Sequence, residues 1–158
     1  MIDLKTGDIT KRPEGIVIMP SISEKVFNSL PFEKELIDHK YQVNYVRHRD
    51  VLYYFNTSDS TGNLFRVRII FSANNKEDWT YNISSVHFIN IQVAETYDDF
   101  FERLENTKLW HDEWMKKSIG TSPIADFWWG KIESVLNLIA DESSITLVYS
   151  KDALRKTG

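Results

Sequence analysis

The side chains best suited to metal binding or proton transfer are the four histidines, which stand far apart along the chain. A zinc-binding helix of the His-Glu-x-x-His type needs two histidines four residues apart, and the segment His111-Asp-Glu-Trp114 has only one. The absence of cysteine excludes disulfides, thiol catalysis and cysteine–zinc sites. A metal site would therefore require histidines from separate elements to converge. We expect instead that His48 is part of a hairpin corner and that His87 lies at the edge of the core, bonded to its surroundings. The sequence predicts no cofactor.

Motifs for nucleophilic catalysis and for phosphate binding do not occur in the sequence. The chain has no Gly-x-Ser-x-Gly turn, and its six glycines never form a Gly-x-Gly cluster. Pairs of adjacent carboxylates exist, but neighbours on a helix point about 100° apart, so such pairs rarely share a proton. The pairs considered as acid/base candidates include Asp98-Asp99, Asp112-Glu113 and Asp141-Glu142. We predict that the protein is not an enzyme.

The segment 95–113 is strongly acidic, with seven acidic and two basic residues and a local charge of −5, against −4 for the whole chain. The helical spacing of these acids predicts a carboxylate stripe opposite an aromatic one. Such a face can simply be solvated, or it can dock a basic protein, because surface charges accelerate encounter and select partners. The candidate partner contacts are Asp98, Asp99, Glu102, Glu105, Asp112 and Glu113.

Four of the five tryptophans lie within residues 110–129, and two of them, Trp128 and Trp129, are adjacent. Adjacent residues of a strand point to opposite faces, so one of this pair is expected outside the main core. Packing between a long helix and this strand is the simplest account of these rings, but tryptophan is also a favoured anchor at protein interfaces. We therefore add Trp128 and Trp129 to the candidate partner contacts. Stacking of single-stranded nucleic acid on them is disfavoured by the acidic segment nearby.

One long helix is predicted over residues 96–119, where it carries most of the acidic segment. The motif Thr96-Tyr-Asp-Asp99 has the form of a capping box, which starts a helix. Lys116 and Lys117 suit the negative end of the helix dipole, and Gly120 can adopt the left-handed cap that ends the helix. The apolar stripe is predicted to contain Tyr97, Phe100, Phe101, Leu104, Trp110 and Trp114.

Most of the remaining chain shows the two-residue alternation of strands. The clearest case is residues 65–71, in which apolar residues alternate with Arg66 and Arg68. Before it, a hairpin is predicted with a charged corner at residues 48–50, and a second turn is predicted at residues 58–63. Further strands are predicted at residues 16–19, 79–93, 127–138 and 144–149, and a short helix at residues 21–30, starting at a capping box of Ser21 and Glu24 and ending before Pro31.

These elements predict an α+β fold, in which one short and one long helix pack on a mostly antiparallel, meander-like sheet of about six strands. No linker interrupts the pattern, so residues 1–150 are predicted to form a single domain, followed by a frayed basic tail at residues 151–158. The chain has neither the apolar run of a secretory signal nor that of a membrane helix, which predicts a soluble cytoplasmic protein. A pI near 5.6 argues against nucleic acid and anionic membranes as partners.

The second half of the chain, residues 96–150, resembles immunity proteins of contact-dependent growth inhibition and related polymorphic toxin systems of bacteria. The segments that carry the resemblance are Leu109-Trp-His-Asp-Glu-Trp114, Ile119-Gly-Thr-Ser-Pro123, Phe127-Trp-Trp-Gly-Lys-Ile132 and Ser144-Ile-Thr-Leu-Val-Tyr149. The resemblance implies a non-enzymatic protein that binds its cognate toxin and blocks it. Acidic immunity proteins commonly face basic nuclease toxins, which the acidic segment would suit.

Two other functions stay open at the level of the sequence. The chain could be a ligand-binding or enzymatic domain with a pocket on the sheet, to which His87, His111 or the hairpin tyrosines contribute. It could also be an assembly subunit with Trp128 or Trp129 at a symmetric dimer contact. Converging polar groups in a deep pocket would favour the first, and a dimeric mass in solution the second.

Overall fold

The computed structural model describes residues 2–3, 8–11, 16–18, 23–29, 34–59, 61–77, 82–139 and 141–149. The predicted basic tail at residues 151–158 lies outside this part of the chain. The elements in chain order are β1 (Ile2–Asp3), β2 (Asp8–Lys11), β3 (Ile16–Ile18), α1 (Glu24–Ser29), β4 (Glu35–Val43), β5 (Val46–Ser58), β6 (Leu64–Asn74), a 3₁₀ turn (Asn75–Glu77), β7 (Asn82–Asn90), α2 (Ile91–Ala94), α3 (Phe100–Ile119), β8 (Ile124–Phe127), β9 (Gly130–Asn137) and β10 (Glu142–Tyr149).

The main sheet has seven strands in the order β4-β5-β6-β7-β10-β9-β8, and every neighbouring pair is antiparallel. β4 to β7 form a meander, after which α3 carries the chain to the opposite edge, and β9 and β10 return to β7. Strands β1, β2 and β3 form a separate small sheet. The predicted α+β class is confirmed, with seven strands in the main sheet rather than about six.

The first hairpin turns at Asn44 and Tyr45 and not at the charged residues 48–50, so that prediction is wrong. Both turn residues have positive φ, 48° and 68°, as a type I′ turn requires. The pairing then runs without interruption from Val43–Val46 to Glu35–Tyr54. The polar side chains of residues 48–50 are tolerated inside β5 because these residues pair with β4, and β4 is itself exposed to solvent.

The predicted strand 79–93 ends early, at Asn90, because the Asn90 side chain starts a helix. Its Oδ1 accepts a hydrogen bond of 2.9 Å from the backbone N–H of Val93, which caps α2. Ile91 and Val93 therefore lie in a helical turn instead of the strand row. The predicted start, residues 79–81, lies outside the described part of the chain.

The single strand predicted at residues 127–138 is in fact two strands. β8 ends at Phe127, Trp128 and Trp129 form the turn, and β9 begins at Gly130. The expectation that one tryptophan lies outside the core holds, since Trp128 is 58% exposed and Trp129 is fully buried.

The long helix α3 begins four residues later than predicted and ends where predicted. The hydroxyl of Thr96 donates to the carbonyl of Gln92 in α2. Asp99 therefore caps α3 instead and accepts from the backbone N–H of Glu102 at 3.0 Å. Gly120 ends the helix with a φ of 77°, as expected for a left-handed cap. None of the helices in the described ranges is long and apolar enough to cross a membrane.

Both α1 and α3 pack on one face of the main sheet. Ser23 caps α1 by accepting from the N–H of Val26 at 3.2 Å, whereas the predicted cap Ser21 lies outside the described residues. Phe27 of α1 packs on Tyr53, with ring centroids 4.8 Å apart, and Met115 and Trp114 of α3 join the same core. The side chains of Phe65, Val67, Ile69 and Phe71 point into this core and those of Arg66 and Arg68 point away from it, as predicted.

Candidate functional site

Four of the predicted partner-contact carboxylates lie exposed along the first two-thirds of the α3 region. These are Asp98, Glu102, Glu105 and Glu113, which together we call the acidic face. Among the described residues, none of the four side chains takes part in a salt bridge. Two apolar side chains of α3 are exposed as well, Phe101 at 63% and Leu109 at 61%. Free charge beside exposed apolar surface is what a protein-binding surface requires.

The two other predicted carboxylates have structural partners. Asp99 is the N-cap of α3. Both carboxylate oxygens of Asp112 accept from the Lys108 ammonium, at 2.7 and 2.9 Å, as expected for residues four apart on a helix. Asp99 and Asp112 therefore stabilise α3, and their charges are less available to a partner than those of the acidic face.

A groove of about 560 Å³ lies next to the acidic face, between α3 and residues 93–97. Its apolar lining includes Tyr97, Leu109 and Trp110, and Glu113 and Lys117 contribute charged groups. Leu109 and Glu113 therefore belong both to the exposed surface of α3 and to the groove, which makes the two features one continuous surface.

The wall of this groove is held by a hydrogen bond between α3 and the turn that joins β5 to β6. The Nε1–H of Trp114 donates to Oδ2 of Asp59 at 2.8 Å. Asp59 also accepts from Thr61 and Asn63, from backbone and side chain of each. Burial alone would raise the pKa of Asp59, but the hydrogen bonds from Asn63, Trp114 and Thr61 outweigh it and lower that pKa to about 2.

Trp128 and Trp129 lie on a different part of the molecule. Trp129 stacks on Phe127 and packs near Tyr149, with both ring centroids at 5.4 Å. Tyr149 ends β10, whereas His111 of α3 approaches Ser143 near the start of that strand. Six residues of strand span about 20 Å, so this length of β10 separates the contact of His111 from the tryptophan turn.

The buried His111 joins α3 to the sheet. Its Nε2 accepts from the backbone N–H of Asn90 at 3.2 Å, and Ser143 Oγ lies 3.5 Å from its Nδ1. Burial lowers the pKa of His111 to about 3, against an opposing effect of the nearby Asp112 carboxylate. The imidazole is therefore neutral at physiological pH and acts as a hydrogen-bond acceptor in the core.

His87 lies on the other face of the sheet, so the two histidines cannot act on one substrate. Its two ring nitrogens each lie 3.0 Å from a hydroxyl oxygen, of Ser85 and of Thr146. Burial, with the Arg68 guanidinium adding to it, lowers the pKa of His87 to about 4. No three metal-ligating side chains come together in the described ranges.

A shallow cavity of about 280 Å³ beside His87 is lined by Tyr54, Arg68 and Glu142, among others. Arg68 and Glu142 form an ion pair of 3.1 Å there. Because both nitrogens of His87 already have hydroxyl partners, the imidazole is not free to act as a general base in this cavity.

We expect the stability of the protein to fall as the pH drops below about 6.5, because both buried histidines must take up protons on acid unfolding. The unfolded chain binds these protons near pH 6.5, whereas the folded chain binds them only near pH 4 and pH 3. Each histidine should contribute a slope of about 1.4 kcal/mol per pH unit between these limits. Urea unfolding of wild type and His111→Gln at pH 7, 6 and 5 measures this slope, and an equal slope in both proteins would contradict the assignment to His111.

Sequence reasoning did not identify Asp59, His111 or Leu109 as parts of this surface and its support. The spacing Asp59-x-Thr61-x-Asn63 is a turn signal, and it could have identified the acceptor of the turn. Nothing in the sequence indicates that this turn meets Trp114, because the contact joins residues 55 positions apart.

Comparison with known proteins gives one informative likeness. No family model matches the sequence, and a search of curated proteins gives no match either. A similar fold occurs in one chain of a solved structure described as "Rhs1-CT in complex with cognate immunity protein RhsI1", with 11% sequence identity and a TM-score of 0.54. The match covers 99% of this chain and 93% of that one. The resemblance to toxin-immunity systems indicated by the sequence is thus confirmed at the level of the fold.

Proposed function

We propose that this protein is a bacterial immunity protein that binds and neutralises a toxin domain, without catalysing a reaction itself. The observation that carries the proposal is the surface of α3, where unpaired carboxylates surround exposed Phe101 and Leu109 beside a groove. The likeness of the fold to a chain from a toxin–immunity complex supports it. We place its action in the cytoplasm of the cell that it protects.

The chemistry of this surface favours a basic toxin with an apolar side chain at the centre of its contact. Carboxylates at the rim of an interface attract a positively charged partner and accelerate its encounter. Affinity then comes from apolar or aromatic side chains that are fully desolvated at the centre. Leu109 and the rings of Trp110 and Tyr97 offer such a centre, and Glu102, Glu105 and Glu113 offer the rim.

The direct test uses the toxin domain encoded next to the gene for this chain. We expect the purified chain to abolish the activity of that domain at a one-to-one ratio and to form a complex that survives gel filtration. Full toxin activity in the presence of excess protein would overturn the proposal. Turnover of a substrate by this chain alone would overturn its non-enzymatic part.

Reversing three charges of the acidic face is expected to weaken toxin binding about 100-fold at low salt, because the rim would then repel a basic partner. The variant is Glu102→Lys/Glu105→Lys/Glu113→Lys, and calorimetry at two salt concentrations measures the change. The matched control carries the same change in net charge elsewhere, in Asp126→Lys/Glu133→Lys/Asp141→Lys. Equal losses in the two variants would show that net charge alone, and not this surface, attracts the toxin.

The other predicted contacts remain part of the proposal. Asp98 extends the acidic face, while Asp99 and Asp112 support it through the helix cap and the Lys108 ion pair. Trp128 offers a separate exposed ring, and toxin binding by Trp128→Ala measures its share. Trp129 is expected to act only by holding the turn, because it is fully buried.

A further inference from the structure

Among the described residues, no strand pairs with the outer side of the edge strand β4. It is the terminal strand of the main sheet, and all nine of its residues are exposed. The strand at the opposite edge, β8, has only four residues. The β4–β5 ladder is regular, with no bulge among its paired residues. A long, regular edge strand is a template for a further strand, because its outward N–H and C=O groups lack partners.

The type I′ turn determines which residues present these groups. Val43 and Val46 flank the two-residue turn, so they form a hydrogen-bonded pair, and such pairs alternate along the ladder. The backbone N–H of Arg47 donates to Oδ1 of Asn75 at 3.0 Å, away from β4, as this alternation requires. The backbone N–H and C=O of Gln42, which pairs with Arg47, therefore point away from β5, towards the open side of β4. The outward residues are Leu36, Asp38, Lys40 and Gln42.

These four residues are symmetric about His39, and we propose that β4 pairs antiparallel with β4 of a second copy of this chain, centred on His39. This register places Leu36 opposite Gln42 of the other copy, so every outward backbone group of both strands gains a partner. Asp38 then faces Lys40 of the other copy, twice in the dimer. On the opposite face of the strand, Ile37 faces Tyr41 of the other copy, and both are apolar side chains exposed in the single chain.

Charge selects this register over its neighbours. Moving the second strand by two residues keeps the hydrogen-bonding pattern but brings Asp38 against Asp38, or Lys40 against Lys40, and like charges directly opposite are destabilising. Moving the second strand by one residue places residues whose backbone groups face outward opposite residues whose backbone groups already bond to β5. The hydrogen bonds between the two copies of β4 are then lost. Asp38 also binds Arg49 of its own strand pair, with Nε to Oδ1 at 2.8 Å, which fixes its carboxylate on the edge. The backbone hydrogen-bonding groups and the charged side chains of β4 are thus both complementary to those of β4 in a second copy.

The mass of the full chain in solution tests the dimer. At about 100 µM, a concentration suited to a small interface, light scattering is expected to give twice the chain mass of 18.6 kDa. Lys40→Glu, which places like charges opposite each other, is expected to give a monomer, whereas Lys25→Glu on α1 is expected to stay dimeric. Mixing Lys40→Glu with Asp38→Lys should restore a dimer of the two variants. A monomeric wild type, or a Lys40→Glu dimer of unchanged strength, overturns the proposal.

Crosslinking tests the register, because the chain contains no cysteine of its own. In the proposed dimer, residue 39 lies opposite its own copy at a non-hydrogen-bonded position, with Cα atoms about 4.5 Å apart, a distance that a disulfide spans. We expect His39→Cys to form a crosslinked dimer on mild oxidation. Glu35→Cys should not, since the two residues 35 would lie about 27 Å apart. Equal crosslinking of both variants overturns this register, and β4 variants that affect only toxin binding would assign the edge to the toxin.

Discussion

Replacing Gly130 by alanine is expected to destabilise the fold by about 4 kcal/mol, because strain and a steric clash act together. Gly130 has a φ of 149°, which side-chain-bearing residues rarely adopt. An added Cβ would lie 2.0 Å from the carbonyl oxygen of Val148 and 2.9 Å from the Cα of Tyr149. Both are backbone atoms of β10, so β9 would have to move away from its partner strand.

A second glycine provides the matched control. Gly62 also has a positive φ, 91°, but an added Cβ there would have no neighbour within 4 Å. Gly62→Ala should therefore cost only the backbone strain, about 1 kcal/mol. Urea unfolding of both variants at pH 7 measures the difference. If Gly130→Ala lost no more stability than Gly62→Ala, the close approach of β9 to β10 would not hold.

The effect of Gly130 extends to the exposed tryptophan. Gly130 directly follows the turn that presents Trp128 and buries Trp129, and it pairs with Tyr149. A Gly130→Ala protein that still folds should show red-shifted tryptophan emission, because Trp129 would lose its place between Phe127 and Tyr149. The position of the exposed Trp128 ring thus depends on the backbone conformation of Gly130.

Local sequence signals predicted the class of the fold and most elements of the main sheet. The alternation at residues 65–71 identified β6, and Gly120 with the lysines before it identified the end of α3, because each signal depends only on neighbouring residues. The wrong predictions arise where two neighbouring residues carry a signal for the same structural role. Thr96 and Asp99 both can cap a helix, and only the tertiary position of α2 decides that Thr96 bonds to Gln92.

The positions of turns were also predicted wrongly where two local signals compete. The charges at residues 48–50 looked like a corner, but a type I′ turn depends on two positive φ values, which Asn44 and Tyr45 provide. The adjacent tryptophans 128 and 129 read as strand, whereas the freedom of Gly130 makes them a turn. In both cases the backbone conformation of one or two residues outweighed the hydrophobic pattern.

The candidate surface was predicted in its charge but not in its shape. Helical spacing was enough to place Glu102 and Glu105 on a common face. The groove beside them requires residues 93–97 to pack on α3, and that packing follows from the capping of α2 by Asn90 and from the bond between His111 and Asn90. Such contacts join distant segments, so no local pattern encodes them.

Asp59→Ala is expected to lower the free energy of unfolding by about 3 kcal/mol and to loosen the groove, because the carboxylate holds Trp114 against the β5–β6 turn. The indole N–H would lose its acceptor while its ring remains buried in the core. Asp59→Asn should lie between alanine and wild type at pH 7. The stabilisation from the carboxylate is present above pH 4 and is lost as the pH falls towards the folded-state pKa of about 2, so the gap between Asp59→Asn and wild type should narrow over that range.

A double-mutant cycle separates the bond to Trp114 from the turn itself. Trp114→Phe removes the indole N–H but keeps an aromatic ring near Phe65 and Phe88. A hydrogen bond to a carboxylate should give a coupling of about 1.5 to 3 kcal/mol between Asp59→Ala and Trp114→Phe. A coupling near zero would show that Asp59 stabilises only its own turn. In that case the groove wall would depend on ring packing alone, and Asp59→Ala should leave toxin binding unchanged.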